Sequence, residues 1–170
     1  VITGDLLADA QSVNVIILRV NLLKRLQSNE AAVDYLGEQL AVDGENRRLR
    51  LFYARLLFEV DRLDDSRSQY EAMLQQSPTD GDMLVALALI ALEQQNNALA
   101  EDYLQLMVRW RRRAGEAHFY LGNIAEQRGD AVTAIKEYRQ AGQGYEYLPS
   151  QARIATLLME QGRLYDASRY

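Results

Sequence analysis

The chain holds 170 residues, 48% hydrophobic and 25% charged, and its 19 basic and 24 acidic side chains leave a net charge of −5. Length and composition predict one soluble folded domain, and the acidic balance argues against nucleic acid held by counterion release. With no cysteine and a single histidine, His118, the chain has no route to disulfides, thiolate–metal or iron–sulfur centres, thiol catalysis or multi-histidine metal sites.

Only two prolines, Pro78 and Pro149, and 10 glycines interrupt the chain, which favours helices over a turn-rich β protein. Residues 1–12 carry Leu6, Leu7 and Ala10 at the spacing of a preceding helix or linker. From residue 13 the pattern is a helix, a short polar turn and a second helix, repeated. The turns are Gln27-Ser28-Asn29, Asp61-Arg62-Leu63-Asp64, Gln94-Gln95-Asn96-Asn97, Arg128-Gly129-Asp130 and Gln161-Gly162-Arg163. Between pairs, Asp43-Gly44 and Ser77-Pro78-Thr79-Asp80-Gly81 read as stop and restart signals. In the third pair Leu84, Leu87, Ala88 and Ala91 form the stripe of one helix, and Ala100, Tyr103, Leu104 and Met107 that of the next. The longest uncharged run, Met83–Leu92, has ten residues, against roughly 20 for a membrane span.

The repeat is visible as columns. Val20, Ala54, Ala88, Gly122 and Ala155 form a column dominated by small residues at an interval of thirty-four residues, shortened to thirty-three at the last step. Ala32, Ser66, Ala100, Ala134 and Ala167 form a second, and Leu36, Tyr70, Leu104 and Tyr138 a column of large side chains. Small residues let two helices approach closely, and the large ones fill the space beside the crossing. Stacked pairs then share one core that no single pair could build.

In period and in the placement of Leu121-Gly122, Gly129-Asp130, Ala134, Tyr138, Ala141 and Pro78, the chain resembles the tetratricopeptide repeat (TPR) family from Val13 to Tyr170. The units are 13–46, 47–80, 81–114 and 115–147, with 148–170 a partial one cut within its second helix. Arg19 stands where the family is apolar and Val20 where it is small, and the unit from Gly115 is one residue short near Tyr145-Glu146-Tyr147. The resemblance implies an all-α fold, a right-handed superhelical solenoid of antiparallel helix pairs. It also implies a non-catalytic scaffold without a cofactor, binding a protein or peptide in a concave groove lined by first helices. The unfinished last helix suggests a section of a longer array, whose uncapped ends invite self-association.

Carried onto this sequence, the groove holds Ile17, Asn21, Leu51, Arg55, Phe58, Val85, Leu89, Leu92, Phe119 and Asn123, with Asn14, Lys24, Arg48, Asp82, Glu116 and Glu126 at its outer positions. One TPR subclass grips a C-terminal carboxylate with Lys, Asn and Arg. That clamp is absent here, because Ile17, Val85 and Leu89 occupy the basic positions. The expected surface is an apolar track flanked by Asn21, Arg55 and Asn123, suited to an amphipathic helix or extended apolar segment. A second candidate is a basic docking edge, Arg109-Trp110-Arg111-Arg112-Arg113, whose plainer reading is a solvated helix C-terminus.

His118 falls where the family often has an aromatic, so packing is expected rather than catalysis. Tyr145 and Tyr147 bracket the shortened junction, where a local pocket is conceivable, and Asp64-Asp65 sits at a helix start, where carboxylates cap backbone N–H groups. There is no Gly-rich phosphate loop, HExxH or GxSxG motif. Seventeen arginines against two lysines suggest a GC-rich bacterial genome. The Arg- and Gln-rich, cysteine-free texture looks like the long TPR lipoproteins of Gram-negative outer membranes, some of which bring substrates to a periplasmic C-terminal processing protease. The expectation is therefore a periplasmic adaptor with a protease or its substrates as partner, and no nucleic acid. A cytoplasmic or secretion-system co-chaperone and a self-association module are the alternatives.

Overall fold

The computed structural model describes the backbone of residues 2–142 and 144–170 and the side chains of residues 13–142 and 144–170. Its helices are α1 (Ile2–Leu26), α2 (Asn29–Val42), α3 (Arg47–Glu59), α4 (Leu63–Gln76), α5 (Gly81–Glu93), α6 (Asn97–Arg109), α7 (Ala114–Gln127), α8 (Ala131–Arg139), α9 (Tyr147–Glu160) and α10 (Leu164–Ala167). Among the described residues there is no strand, so the fold is all-α. The backbone of residues 2–12 belongs to α1, while the side chains of Leu6, Leu7 and Ala10 lie outside the described residues. The helices gather into two compact units, Val1–Gln76 and Ser77–Tyr170, where length alone predicts one domain. A repeat chain has no single centre around which every helix must pack.

Local chemistry sets the helix ends. Ser28, Asn46, Asp80, Asn96 and Asp130 are N-caps whose side-chain oxygens accept backbone N–H bonds from the first turns of α2, α3, α5, α6 and α8. The first helices of the later pairs end alike. Asp61, Gln95, Gly129 and Gly162 all take positive φ, from 57° to 77°. Arg62, Asn96, Asp130 and Arg163 then donate their N–H to the carbonyls of Leu57, Ala91, Ala125 and Leu158 at 2.8–3.0 Å. This left-handed cap suits glycine, yet two of the four positions carry side chains.

Packing follows the columns. Every member of the second and third columns is buried, as are Val20, Ala54, Ala88 and Gly122 of the first, whereas Ala155 is half-buried. In the first unit Val13, Val20, Val33, Leu36, Leu40, Leu49, Leu56 and Leu57 form one apolar cluster. In the second, Ala134, Ile135, Tyr138, Ile154, Leu157 and Leu158 join α8 to α9. The small column includes Ser66, whose hydroxyl donates to the Ala54 carbonyl at 2.8 Å across the α3–α4 crossing. The tightest contact is at Gly122, where a methyl group would lie 2.6 Å from Tyr138 Cδ1 and Cε1. A Cβ on Gly115 would run into the Ala141 carbonyl, so the close approach of α7 to the end of α8 also needs glycine.

Candidate protein-binding surfaces

The predicted groove residues divide between the two units. In the first, the face of α1 and α3 is tied at both ends: Arg48 Nη2 donates to Asn14 Oδ1 at 2.7 Å, and Lys24 Nζ to Glu59 Oε1 at 2.5 Å. Along it Ile17 and Leu51 are half-buried, Phe58 is 40% exposed, and Asn21 and Arg55 are exposed. The Arg55 charge acts on the Tyr70 phenol of α4. Burial raises the Tyr70 pKa, with the Arg55 charge opposing it.

In the second unit the corresponding face belongs to α5 and α7. Val85 is only 7% exposed, so it adds little open surface to the predicted track. Leu89, Leu92 and Phe119 are half-buried and keep apolar surface in reach of solvent. Near the start of the two helices Arg113 pairs with Asp82 at 2.7 Å and Glu116 at 2.6 Å. Burial, with Glu146 nearby, raises the Glu116 carboxyl above its ordinary range, and Arg113 opposes the shift. Tyr120 is raised likewise, by burial first and then by Glu116 and Glu146.

At the far end of this face Asn123 is also bonded. Tyr138 Oη lies 2.7 Å from Asn123 Oδ1 and 2.6 Å from Glu126 Oε2. A phenol has one proton, and the stronger acceptor is the carboxylate. Asn123 meets the same geometry with its NH2 turned toward the hydroxyl, since amide O and N are interchangeable in shape. Glu126 is held in turn by Arg153 of α9, whose Nε donates at 3.0 Å. Asn123 and Arg55 share one repeat position; Asn123 bonds the large-column tyrosine of its own pair, and the Arg55 charge acts on the equivalent Tyr70. The tyrosines in that column were the signal from which this could have been read.

The basic run does not form one helix C-terminus. α6 ends at Arg109, Trp110 is its C-cap, and Arg111 and Arg113 take φ values of 52° and 49° as the chain turns into α7. Arg111 and Arg112 are exposed, Trp110 is half-buried, and Arg113 is engaged by the two carboxylates. Arg109 lines a cleft of about 440 Å³ among α6, α7 and α8, together with Val108, Leu121, His118 and Glu137. His118 Nδ1 lies 2.7 Å from Glu137 Oε2, which joins α7 to α8 and accounts for this polar side chain at a mostly buried position. Tyr145 is 99% and Tyr147 41% exposed. Asp65 accepts from Arg62 at 2.7 Å and Asp64 from Arg67 at 2.9 Å, so both acids are engaged by arginines at the start of α4. Among the described residues no helix is long and apolar enough to cross a membrane.

Paired helices in a near-constant register, with a bonded, part-apolar first-helix face, define a helical-repeat protein. The tetratricopeptide repeat model matches residues 17–81, 54–115 and 85–147, and the chain belongs to that family. A TPR repeat-containing protein of Pseudomonas aeruginosa, PA4667, is 42% identical over 53 residues, covering 31% of this chain and 9% of that protein. Among solved structures, MamA superposes with a TM-score of 0.71 at 15% identity, covering 95% of this chain and 88% of that one. PilF of Pseudomonas aeruginosa superposes with a TM-score of 0.67 at 19% identity, covering 89% and 69%. At such identities these structures share the fold.

Proposed function

We propose that this chain is a non-catalytic protein-binding scaffold that seats an apolar or amphipathic partner segment on the first-helix face of its second unit. The observation that carries this reading is that Leu89, Leu92 and Phe119 stay half-buried while the polar groups bordering them are bonded to one another. A face whose polar rim is already satisfied presents apolar area to a partner at little desolvation cost. We further propose a bacterial envelope adaptor that passes substrates to a C-terminal processing protease. The cysteine-free, arginine-rich composition and the Pseudomonas relative support a bacterial setting.

Site-specific photocrosslinking tests both parts. A photoreactive residue at Leu89 of the full chain is expected to capture a defined partner from a periplasmic extract, and one at Gln75 on α4 is not. Leu92→Glu should lower the Leu89 yield at least fivefold with unchanged helical circular dichroism. Equal capture at both positions refutes the site. Capture of partners that are neither a protease nor its substrates refutes the adaptor role alone.

A further inference from the structure

The cleft among α6, α7 and α8 is used by none of the contacts assigned above to the first-helix face. Its volume of about 440 Å³ is within the roughly 300–1,000 Å³ of ligand sites. The three helices lie inside the second unit, between α5 and α9. Leu121 and Ala125 of α7 line it, each two residues on from Phe119 and Asn123. Two residues turn a helix by about 200°, so the cleft opens on the opposite side of α7 from the first-helix face.

The repeat explains the space. Thr133 and Glu137 of α8 line the cleft, and the equivalent residues of α6 are Leu99 and Tyr103. The shorter side chains leave volume that Leu and Tyr would occupy. The polar rim is bonded with one exception. Glu101 Oε1 accepts from Arg128 Nη1 at 2.5 Å, Glu137 Oε2 from His118 Nδ1 at 2.7 Å, and Asp130 Oδ1 from the Thr133 N–H at 3.0 Å. Every carboxylate of the rim thus has a donor. Arg109 is the exception: it is exposed, and among the described residues no carboxylate pairs with it. Of the run Arg109–Arg113, it is the member that lines the cleft.

We propose that this cleft is a second binding site, for a protein segment that carries a bulky apolar side chain beside an Asp or Glu. The apolar group seats on Val108, Leu121 and Ala125, and the carboxylate meets Arg109, whose planar fork matches it. Val108 and Arg109 are neighbours in α6, so the two groups lie close together in the segment. A lysine in place of the acid would face the like charge of Arg109.

The test selects peptides from a random twelve-residue phage library on the whole chain and measures each synthetic peptide by fluorescence anisotropy. Selected peptides are expected to pair an aromatic residue or leucine with a nearby Asp or Glu. Their binding should weaken at least tenfold with Arg109→Glu, and equally with Thr133→Leu, which puts the side chain of Leu99 into the cleft. It should not change with Leu92→Glu. Both substituted positions are exposed, so these chains should keep their thermal melting curves, which checks folding. Arg109→Gln should abolish the preference for Asp over Asn in the peptide. The proposal is overturned if no selected peptide depends on both Arg109 and Thr133, or if those that do carry no acid. Peptides weakened only by Leu92→Glu would support the first-helix face and overturn this second site. N-acetylphenylalanine binding as tightly as the peptides would make the occupant a small carboxylic acid and the assignment to a protein segment wrong.

Discussion

Gly122→Ala isolates the close helix crossing on which each pair depends. The added methyl would lie 2.6 Å from two Tyr138 ring atoms and 3.0 Å from Cγ, about 1 Å inside ordinary contact. The ring cannot yield freely, being 1% exposed with its hydroxyl bound to Asn123 and Glu126. Overpacking of this kind costs about 1–3 kcal/mol. Replacing a mid-helix glycine by alanine returns about 1 kcal/mol, so the net loss should be about 1 kcal/mol. Tyr138→Leu, which installs the side chain found at Leu36 and Leu104, removes the ring. In that background Gly122→Ala should stabilise, by about 0.5–1 kcal/mol, because only the helix preference is left. The four proteins of the cycle are compared by urea denaturation. A Gly122→Ala effect of the same sign and size in both backgrounds would refute the contact as the cause.

Three further outcomes are expected. Gln95→Gly should stabilise by about 0.5–1 kcal/mol by removing a side chain from a left-handed cap, and Gly129→Ala should destabilise by about 1 kcal/mol, both read by urea midpoints; a loss on Gln95→Gly would show that its side chain supports the turn. Ser150 is buried and its hydroxyl has no hydrogen-bond partner among the described residues, so Ser150→Ala should raise stability by about 1 kcal/mol, whereas Ser66→Ala, which deletes the bond to Ala54, should lower it by a similar amount in the same assay. Burial pushes the Tyr138 pKa up to about 12 from 10.0 and raises Tyr70 as well, so the unfolded chain loses its phenolic protons first. Stability should therefore fall as pH rises from 10 to about 12, and Tyr138→Phe should flatten that fall in denaturation series across this range; an unchanged slope would remove Tyr138 as the cause.

Much of the site was legible as position and little of it as state. The interval places Leu89, Phe119 and Asn123 on corresponding faces because helical periodicity and a constant repeat length leave no freedom there. It does not show that Val85 is buried or that Asn123 is bound to the tyrosine from the other helix of its pair, since those facts depend on which side chain fills the neighbouring column. The basic run looked continuous because charge is read along the chain, whereas two residues of positive φ send its members in different directions.

By itself, then, the sequence determined the helical pairs, their caps and the columns that pack, since these follow from local preferences and from a period repeated often enough to exclude other pairings. Only the tertiary structure decided which apolar side chains are covered. Val85 and Leu89 read alike, four residues apart on one face of α5, yet the first is buried and the second half-buried, and burial depends on what lies across the side chain, which no residue's own chemistry records.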